Sequence, residues 1–350
     1  MPFRDVIGHR RLLAVLARAV RRGSLPPSLM LAGPEGIGKR LVATSLAQAL
    51  NCLQPLASDR LEPASAPVDP ARGRVEFDAC GTCAACQRIL RGAHPDVMMV
   101  EPGDKGSIKI EQVRDIIDRA AYRPFEGRRR VVIIDDADAL VDQAQNALLK
   151  TLEEPPNASN FLLVTSRPDA MLPTVRSRCP LLRFRPLSPE EVALALTRAK
   201  FSETEARAVA ATADGSIGRA LQATAGDLVE SRDVAARVLM HAAAGGDAKR
   251  RLEAAKELLA KTSSTVDTER DQVALYLRAM TSLLRDVELL AVGGDPATLA
   301  NADVAQELSR LKAYHGDRGL QAFQAVDRAL VALDRNVNAK VVADWLLLQL

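Results

Sequence analysis

Gly33-Pro34-Glu35-Gly36-Ile37-Gly38-Lys39-Arg40 follows the apolar run Leu29-Met30-Leu31-Ala32 and precedes an Ala- and Leu-rich stretch, Leu41 to Leu50. Strand, Gly-rich turn and helix in that order form the setting of a phosphate-binding loop. Its backbone N–H groups cradle phosphates and its Lys reaches the outer ones. The residue after that Lys is normally Ser or Thr, whose hydroxyl ligates Mg²⁺. Here it is Arg40, a permanent cation with donors only. The loop thus announces a nucleotide-hydrolase scaffold with one part of its apparatus replaced.

Composition bounds what surrounds the loop. The chain has 350 residues, long for a single core, so two or three domains are expected. A hydrophobic share of 47% with 26% charged residues is that of a globular protein. Aromatics at 3% argue against a base-stacking nucleic-acid platform. A formal charge of +3 is too small to argue DNA binding by itself. The first residues lack a signal-peptide core, and no apolar run reaches membrane-spanning length. The expected compartment is the reducing cytoplasm.

Residues 1 to 185 alternate strand-like and helix-like segments, which predicts an α/β domain with a mostly parallel sheet. Besides Leu29–Ala32, strands are expected at Val97–Val100, Val131–Ile134 and Phe161–Thr165. Helices are expected at Ile110–Ala121 and Gln143–Glu154, the latter stopped by Pro155-Pro156. From Ser188, a candidate N-cap, the pattern is helical: 189–200, 203–213, 217–225, 227–244, 247–262 and 267–292, with a last helix ending in Val341–Leu350. Boundaries are expected at 185/186 and near Gly245-Gly246. They delimit a small helical domain over 186–244 and a second over 245–350. Residues 53–79, with Pro55, Pro63, Pro67 and Pro70, are expected to be an exposed insertion without secondary structure.

Val131-Val132-Ile133-Ile134-Asp135-Asp136-Ala137-Asp138 is an apolar strand ending in acids. Such a strand presents an Asp to Mg²⁺, and usually a following Glu to the attacking water. Asp135 fits the first role, and Asp136 stands one methylene short in the second. Acids at a strand end are also ordinary turn residues; their pairing with the Gly33–Lys39 loop is what selects the magnesium-site role. Thr165 ends another apolar strand, where P-loop ATPases of the AAA+ class place a γ-phosphate sensor; a plain capping Thr is the alternative. Arg128-Arg129-Arg130 is expected to be a solvated turn, with a phosphate contact as the alternative.

Cys80-Gly81-Thr82-Cys83-Ala84-Ala85-Cys86 gives C-x₂-C-x₂-C, and Cys52 supplies a fourth thiol. Four thiolates in a reducing compartment suit a closed tetrahedral Zn²⁺ site, with iron–sulfur ligation as the alternative. Cys179 is expected to be a buried small hydrophobe. His9, His94, His241 and His315 show no ligand spacing.

Asn146-Ala147-Leu148-Leu149-Lys150-Thr151-Leu152-Glu153-Glu154-Pro155-Pro156, followed by Ser177-Arg178-Cys179, closely resembles the clamp-loader subunits of bacterial DNA polymerase III. The resemblance covers roughly residues 3 to 221. It implies an AAA+ domain, a helical lid and an all-α collar that assembles with four other subunits. It also implies a zinc module after the loop helix. Arg178 matches an arginine finger that reaches a neighbour's ATP site, where such a cation is worth about 10³–10⁵ in rate. The ATPase (gamma and tau) members carry Lys-[ST] in the loop and an Arg two residues after a lid Gly-Ser. Here Arg40 takes the first place. In Gly215-Ser216-Ile217-Gly218-Arg219, Gly218 takes the second, leaving Arg219 about 100° around a helix. With Asp136, these departures point to a degenerate, non-hydrolysing member and weigh against ATP or ADP as a held cofactor; an active gamma/tau-like ATPase is the alternative. The implied partners are the gamma/tau ATPase and delta subunits, and through the assembly a sliding clamp and primed DNA.

Overall fold

The computed structural model describes residues 1–57, 75–103, 106–213, 215–222, 225–244, 248–260, 269–294, 299, 301, 308–334 and 337–350. The chain divides into two compact units, Met1–Glu191 and Val192–Leu350.

The first unit runs α1 (Arg10–Arg22), β1 (Ser28–Ala32), α2 (Lys39–Asn51), β2 (Leu56–Ala57), β3 (Phe77–Asp78), α3 (Ala84–Leu90), β4 (Val97–Val100), α4 (Ile110–Ala120), β5 (Arg130–Ile134), α5 (Asp142–Glu153), β6 (Ser159–Thr165), α6 (Pro173–Arg176) and β7 (Leu181–Arg183). Five strands pair in the order β4-β5-β6-β1-β7, all parallel. Every residue of β1, β5 and β6 is buried, as continuous apolar runs in a sheet covered on both faces should be. Side-chain alternation splits them between two cores. Leu29, Leu31, Val131, Ile133, Leu162 and Val164 face one core with Leu46 of α2 and Leu13 of α1. Met30, Val132, Ile134, Phe161 and Leu163 face the other, with Ile116 of α4 and Leu148 of α5. The α/β P-loop architecture expected from the sequence is the one observed.

The register fixes the functional edge. Ala32 of β1 lies opposite Thr165 of β6, and Val100 of β4 opposite Ile134 of β5. The residues leaving the carboxyl ends of these strands therefore converge, which is where parallel α/β sheets bind ligands.

Two expectations are corrected. Residues 53–79 are not without secondary structure: Leu56 and Ala57 pair antiparallel with Asp78 and Phe77, respectively. The intervening 58–74 lie outside the described residues. Nor is Arg130 part of a solvated turn. It is the first residue of β5, 8% exposed, and its guanidinium meets the buried Asp96 carboxylate at 2.8 Å and the Arg119 carbonyl. Asp96 also accepts the N–H groups of Phe125, Glu126 and Gly127 at 2.7–2.9 Å, which shapes the turn before β5.

Ser188 caps the next helix as expected, in a reciprocal box: Glu191 N–H to Ser188 Oγ at 3.3 Å and Ser188 N–H to Glu191 Oε2 at 3.1 Å. That helix, α7 (Pro189–Arg198), is followed by α8 (Glu203–Thr212), α9 (Ile217–Gln222), α10 (Ala225–Ala243), α11 (Ala248–Leu259), α12 (Glu269–Ala291), α13 (Asp317–Asp334) and α14 (Ala339–Gln349). One core joins Val238 and Leu239 of α10, Leu258 of α11, Leu277 and Met280 of α12, Val326 of α13 and Leu346 of α14. The boundary expected near Gly245-Gly246 lies outside the described residues. Among the described residues no helix is long and apolar enough to cross a membrane.

Candidate functional site

The Gly33–Lys39 loop leaves β1 and enters α2 at Gly38, the N-cap, whose φ of 97° suits glycine. Gly33 is required by close approach: a Cβ there would lie 2.6 Å from the Phe184 carbonyl oxygen. Lys39 is nearly buried at 7% exposure. Its Nζ donates to the carbonyls of Gly33 and Pro34, each at 2.7 Å. Burial lowers its pKa, against the pull of Asp136, Asp135, Glu35 and Asp138.

Arg40, one residue on, turns to the strand ends. Its Nη1 lies 3.2 Å from Asp135 Oδ2, just beyond β5, and forms an ion pair with Glu101, just beyond β4. Asp136 has a left-handed backbone, with φ 47°. Its carboxyl is pushed up by burial and by Asp135, Asp138 and Glu35. The Thr165 hydroxyl donates to Asp138 Oδ1 at 2.7 Å, and Arg167 Nε donates to Asp138 Oδ2 at 2.9 Å. Burial opposes ionisation of Asp138, but these bonds outweigh it and hold its pKa below the usual carboxylate range.

The structure thus brings Lys39, Arg40, Asp135, Asp136 and Thr165 to one edge of the sheet. It adds three side chains the sequence reading missed: Glu101, Asp138 and Arg167. Glu101 follows β4 directly and Arg167 lies two residues beyond β6, so their position after an apolar strand was the available signal. His9 is a fourth, since its Nε2 bonds the Ile37 carbonyl of the loop at 2.9 Å and its ring packs edge-on against Phe184. Burial lowers the His9 pKa, which suits a neutral ring donating from Nε2.

Arg178 follows the short helix α6. Its Nε donates to Glu153 Oε1 of α5 at 2.8 Å, and its Nη1 to the Thr174 carbonyl at 2.8 Å. A third of the side chain is exposed. The guanidinium is therefore oriented by two helices while part of it reaches solvent. Cys179 beside it is 2% exposed, in the core with Met30 and Val175, and burial pushes its thiol up to about 11. It is a small hydrophobe, as expected. In the second unit, Arg219 donates its N–H to the buried Ser216 hydroxyl at 3.2 Å.

Cys52, Cys80, Cys83 and Cys86 come together, with all four sulfurs within 4.8 Å of one another. Cys52 ends α2, Cys83 caps α3, and Cys86 lies within α3. The Cys80 N–H donates to Cys52 Sγ at 3.2 Å and the Cys83 N–H to Cys80 Sγ at 3.3 Å. Burial opposes the Cys80 thiolate, but the N–H groups of Cys83 and Thr82 bring its pKa down to about 6. Burial pushes Cys52 and Cys86 the other way. A tetrahedral ion with metal–sulfur bonds of about 2.3 Å sets sulfurs about 3.8 Å apart, near the 4.0 Å between Cys52 and Cys83. The donor set fits one tetrahedral metal ion; a multi-iron cluster needs sulfurs set wider.

The family model of the DNA polymerase III delta subunit matches residues 8–188. The chain is 32% identical over 190 residues to DNA polymerase III subunit gamma of Buchnera aphidicola, covering 54% of this chain and 47% of that protein. It is 32% identical over 190 residues to DNA polymerase III subunit tau of Escherichia coli, covering 54% and 26%. It is also 38% identical over 151 residues to DNA polymerase III subunit delta' of Pseudomonas aeruginosa, covering 43% and 40%. The chain thus spans less than half the length of each of these relatives. Among solved structures, a DNA polymerase III gamma subunit-related protein of Thermotoga maritima aligns over 96% of this chain and 97% of its own, with 18% identity and a TM-score of 0.39.

Proposed function

The chain belongs to the DNA polymerase III delta subunit family, and from that premise we propose that it is a delta-prime-like subunit of the clamp loader. In this role it works in the cytoplasm with gamma/tau ATPase and delta subunits in a five-membered ring. The ring opens a sliding clamp and loads it on primed DNA. The chain contributes a wall and an arginine donor and does not hydrolyse ATP. The helices from 186 to 244 act as a lid, and those from 245 to 350 as its part of a collar.

The observation that carries the non-hydrolysing role is Arg40, which stands at the hydroxyl position and is paired with Asp135 and Glu101. Phosphoryl transfer on this scaffold needs a metal held by that hydroxyl and that Asp. Asp136, at the water-polarising position, is a methylene short, and misplacement by about 1 Å can cost roughly 10²-fold in rate. Arg178, oriented by Glu153, is the residue offered to a neighbour's ATP. Cys52, Cys80, Cys83 and Cys86 would hold a structural Zn²⁺, which would stabilise the module between α2 and α3 and take no part in chemistry.

Lys39 is retained, which favours the second candidate role, an active gamma/tau-like ATPase. The two separate on one experiment. The chain is purified alone and in a complex reconstituted with gamma/tau and delta subunits, and ATP turnover and clamp loading are measured for each. The delta-prime-like role predicts no turnover alone and loading only when the chain is present.

A further inference from the structure

The scaffold implies magnesium, yet the residues at the strand ends do not fit it. Magnesium takes near-octahedral oxygen ligands at short range and keeps several waters. On this scaffold its protein ligands are the loop hydroxyl and the strand-end Asp. Arg40 offers no lone pair at the first position, and its guanidinium reaches across to occupy the second. One nitrogen, Nη1, engages Asp135 at 3.2 Å and also Glu101. Asp135 is mostly covered, with 13% of its side chain exposed.

We infer that Arg40 is a tethered replacement for the divalent cation. It supplies positive charge to the mostly covered Asp135, pairs with the half-exposed Glu101, and so joins the first turn of α2 to the ends of β4 and β5. The pocket thereby holds its shape without metal and does not take up magnesium nucleotide. This deepens the non-hydrolysing role proposed above and rests on it.

The charges around the loop support this. Lys39 is turned into the loop, with two of its three donors on the Gly33 and Pro34 carbonyls. With Arg40 in place, the acid best placed to ligate a metal is already paired, and an arriving divalent ion meets a fixed positive charge. The Glu101 pair adds a strand that the usual metal site does not require, and it makes Arg40 a brace across two strand ends.

The test uses the full chain and has binding readouts only. Thermal melts are recorded in EDTA and in millimolar MgCl₂ with ATP. Free Mn²⁺, as a magnesium surrogate, is followed by electron paramagnetic resonance. The wild-type melting temperature should be the same in both buffers. Its Mn²⁺ uptake should match that of Asp135→Asn. Arg40→Thr restores the hydroxyl and frees both acids. It should melt higher by on the order of a few degrees with MgCl₂ and ATP than in EDTA, and take up one further Mn²⁺ that Asp135→Asn abolishes. Arg40→Lys keeps the charge and should behave as wild type. Mg²⁺-dependent stabilisation of the wild type, or Mn²⁺ uptake by it that Asp135→Asn removes, overturns the inference. A folded Arg40→Thr with no metal response also overturns it. Neither result touches assembly with partner subunits, which is measured separately by reconstitution.

Discussion

Cys80 donates its backbone N–H to the sulfur of Cys52 at 3.2 Å, across a sequence separation of 28 positions. The pairing of Leu56–Ala57 with Phe77–Asp78 brings the two ends of that long segment together. Asp78, fully buried, anchors the second end by accepting the Phe3 and Arg4 N–H groups at 2.8 and 3.0 Å. Loop-closure cost rises only slowly with length, so a long insertion between two ligands is tolerated once its base is fixed.

With that geometry the expected metal content is one Zn²⁺ per chain. Binding should contribute on the order of 10 kcal/mol to local folding, and Cys83→Ser or Cys86→Ser should lower metal content and loosen α3. Elemental analysis with native thiol alkylation checks it. Far less than one equivalent of metal, with all four thiols freely alkylated, would reject the site.

ATP turnover by the isolated chain should be absent. Arg40→Thr should regain metal binding but little hydrolysis, because Asp136 remains a methylene short at the same transition state. A steady-state phosphate-release assay decides. Wild-type turnover of about 1 s⁻¹, lost in Lys39→Ala, would instead establish the gamma/tau-like ATPase.

Asp96 should set part of the acid sensitivity of the α/β unit. Burial opposes its charge, but the bond from Arg130 and three backbone N–H groups overcome this and hold its carboxyl well below the usual carboxylate range. A depressed folded pKa gives stability that is complete above the unfolded value of about 3.9. That stability is lost as pH falls through the folded value. Asp96→Asn leaves the Arg130 guanidinium buried without a counter-charge and should cost about 3–5 kcal/mol at pH 7. Urea unfolding should show the gap between wild type and variant narrowing at pH 3; an equal gap at both pH values contradicts the role.

Much of this was legible in the sequence because buried parallel strands are continuous apolar runs. Val97–Val100 forms as expected, and Phe161–Thr165 extends only to Ser159. The helical half was legible through its periodicity, as at 227–244, observed as Ala225–Ala243. What escaped depends on distant partners. Arg130 sits in a run of three arginines that suggests solvent, and its buried acid lies 34 positions away. Glu101 is called to the site by Arg40, a residue on another element. β7 is a three-residue edge strand with Leu181 and Arg183 exposed, so neither length nor alternation marks it. Cys52 was readable as the fourth thiol of the Cys80–Cys86 set, and the structure brings all four sulfurs together.

Arg178→Ala should leave this chain folded and able to assemble. The side chain is one-third exposed and bonds Glu153, Thr174 and Ser177, all at the surface, so its loss opens no core cavity. In a reconstituted complex, however, the ATP site facing Arg178 loses a planar cation from the developing phosphoryl charge. That site alone should slow by about 10³–10⁵-fold, so clamp- and DNA-stimulated ATPase falls partially while the other sites keep their own arginines. Arg178→Lys should not rescue it, because a point charge on a flexible stem lacks the fork that Glu153 orients. Glu153→Ala should give a milder loss, since it frees the guanidinium without removing it. A solvated turn predicts no change in any of the three variants. Full ATPase and loading by the Arg178→Ala complex would therefore remove the arginine-donor role while leaving the family membership intact.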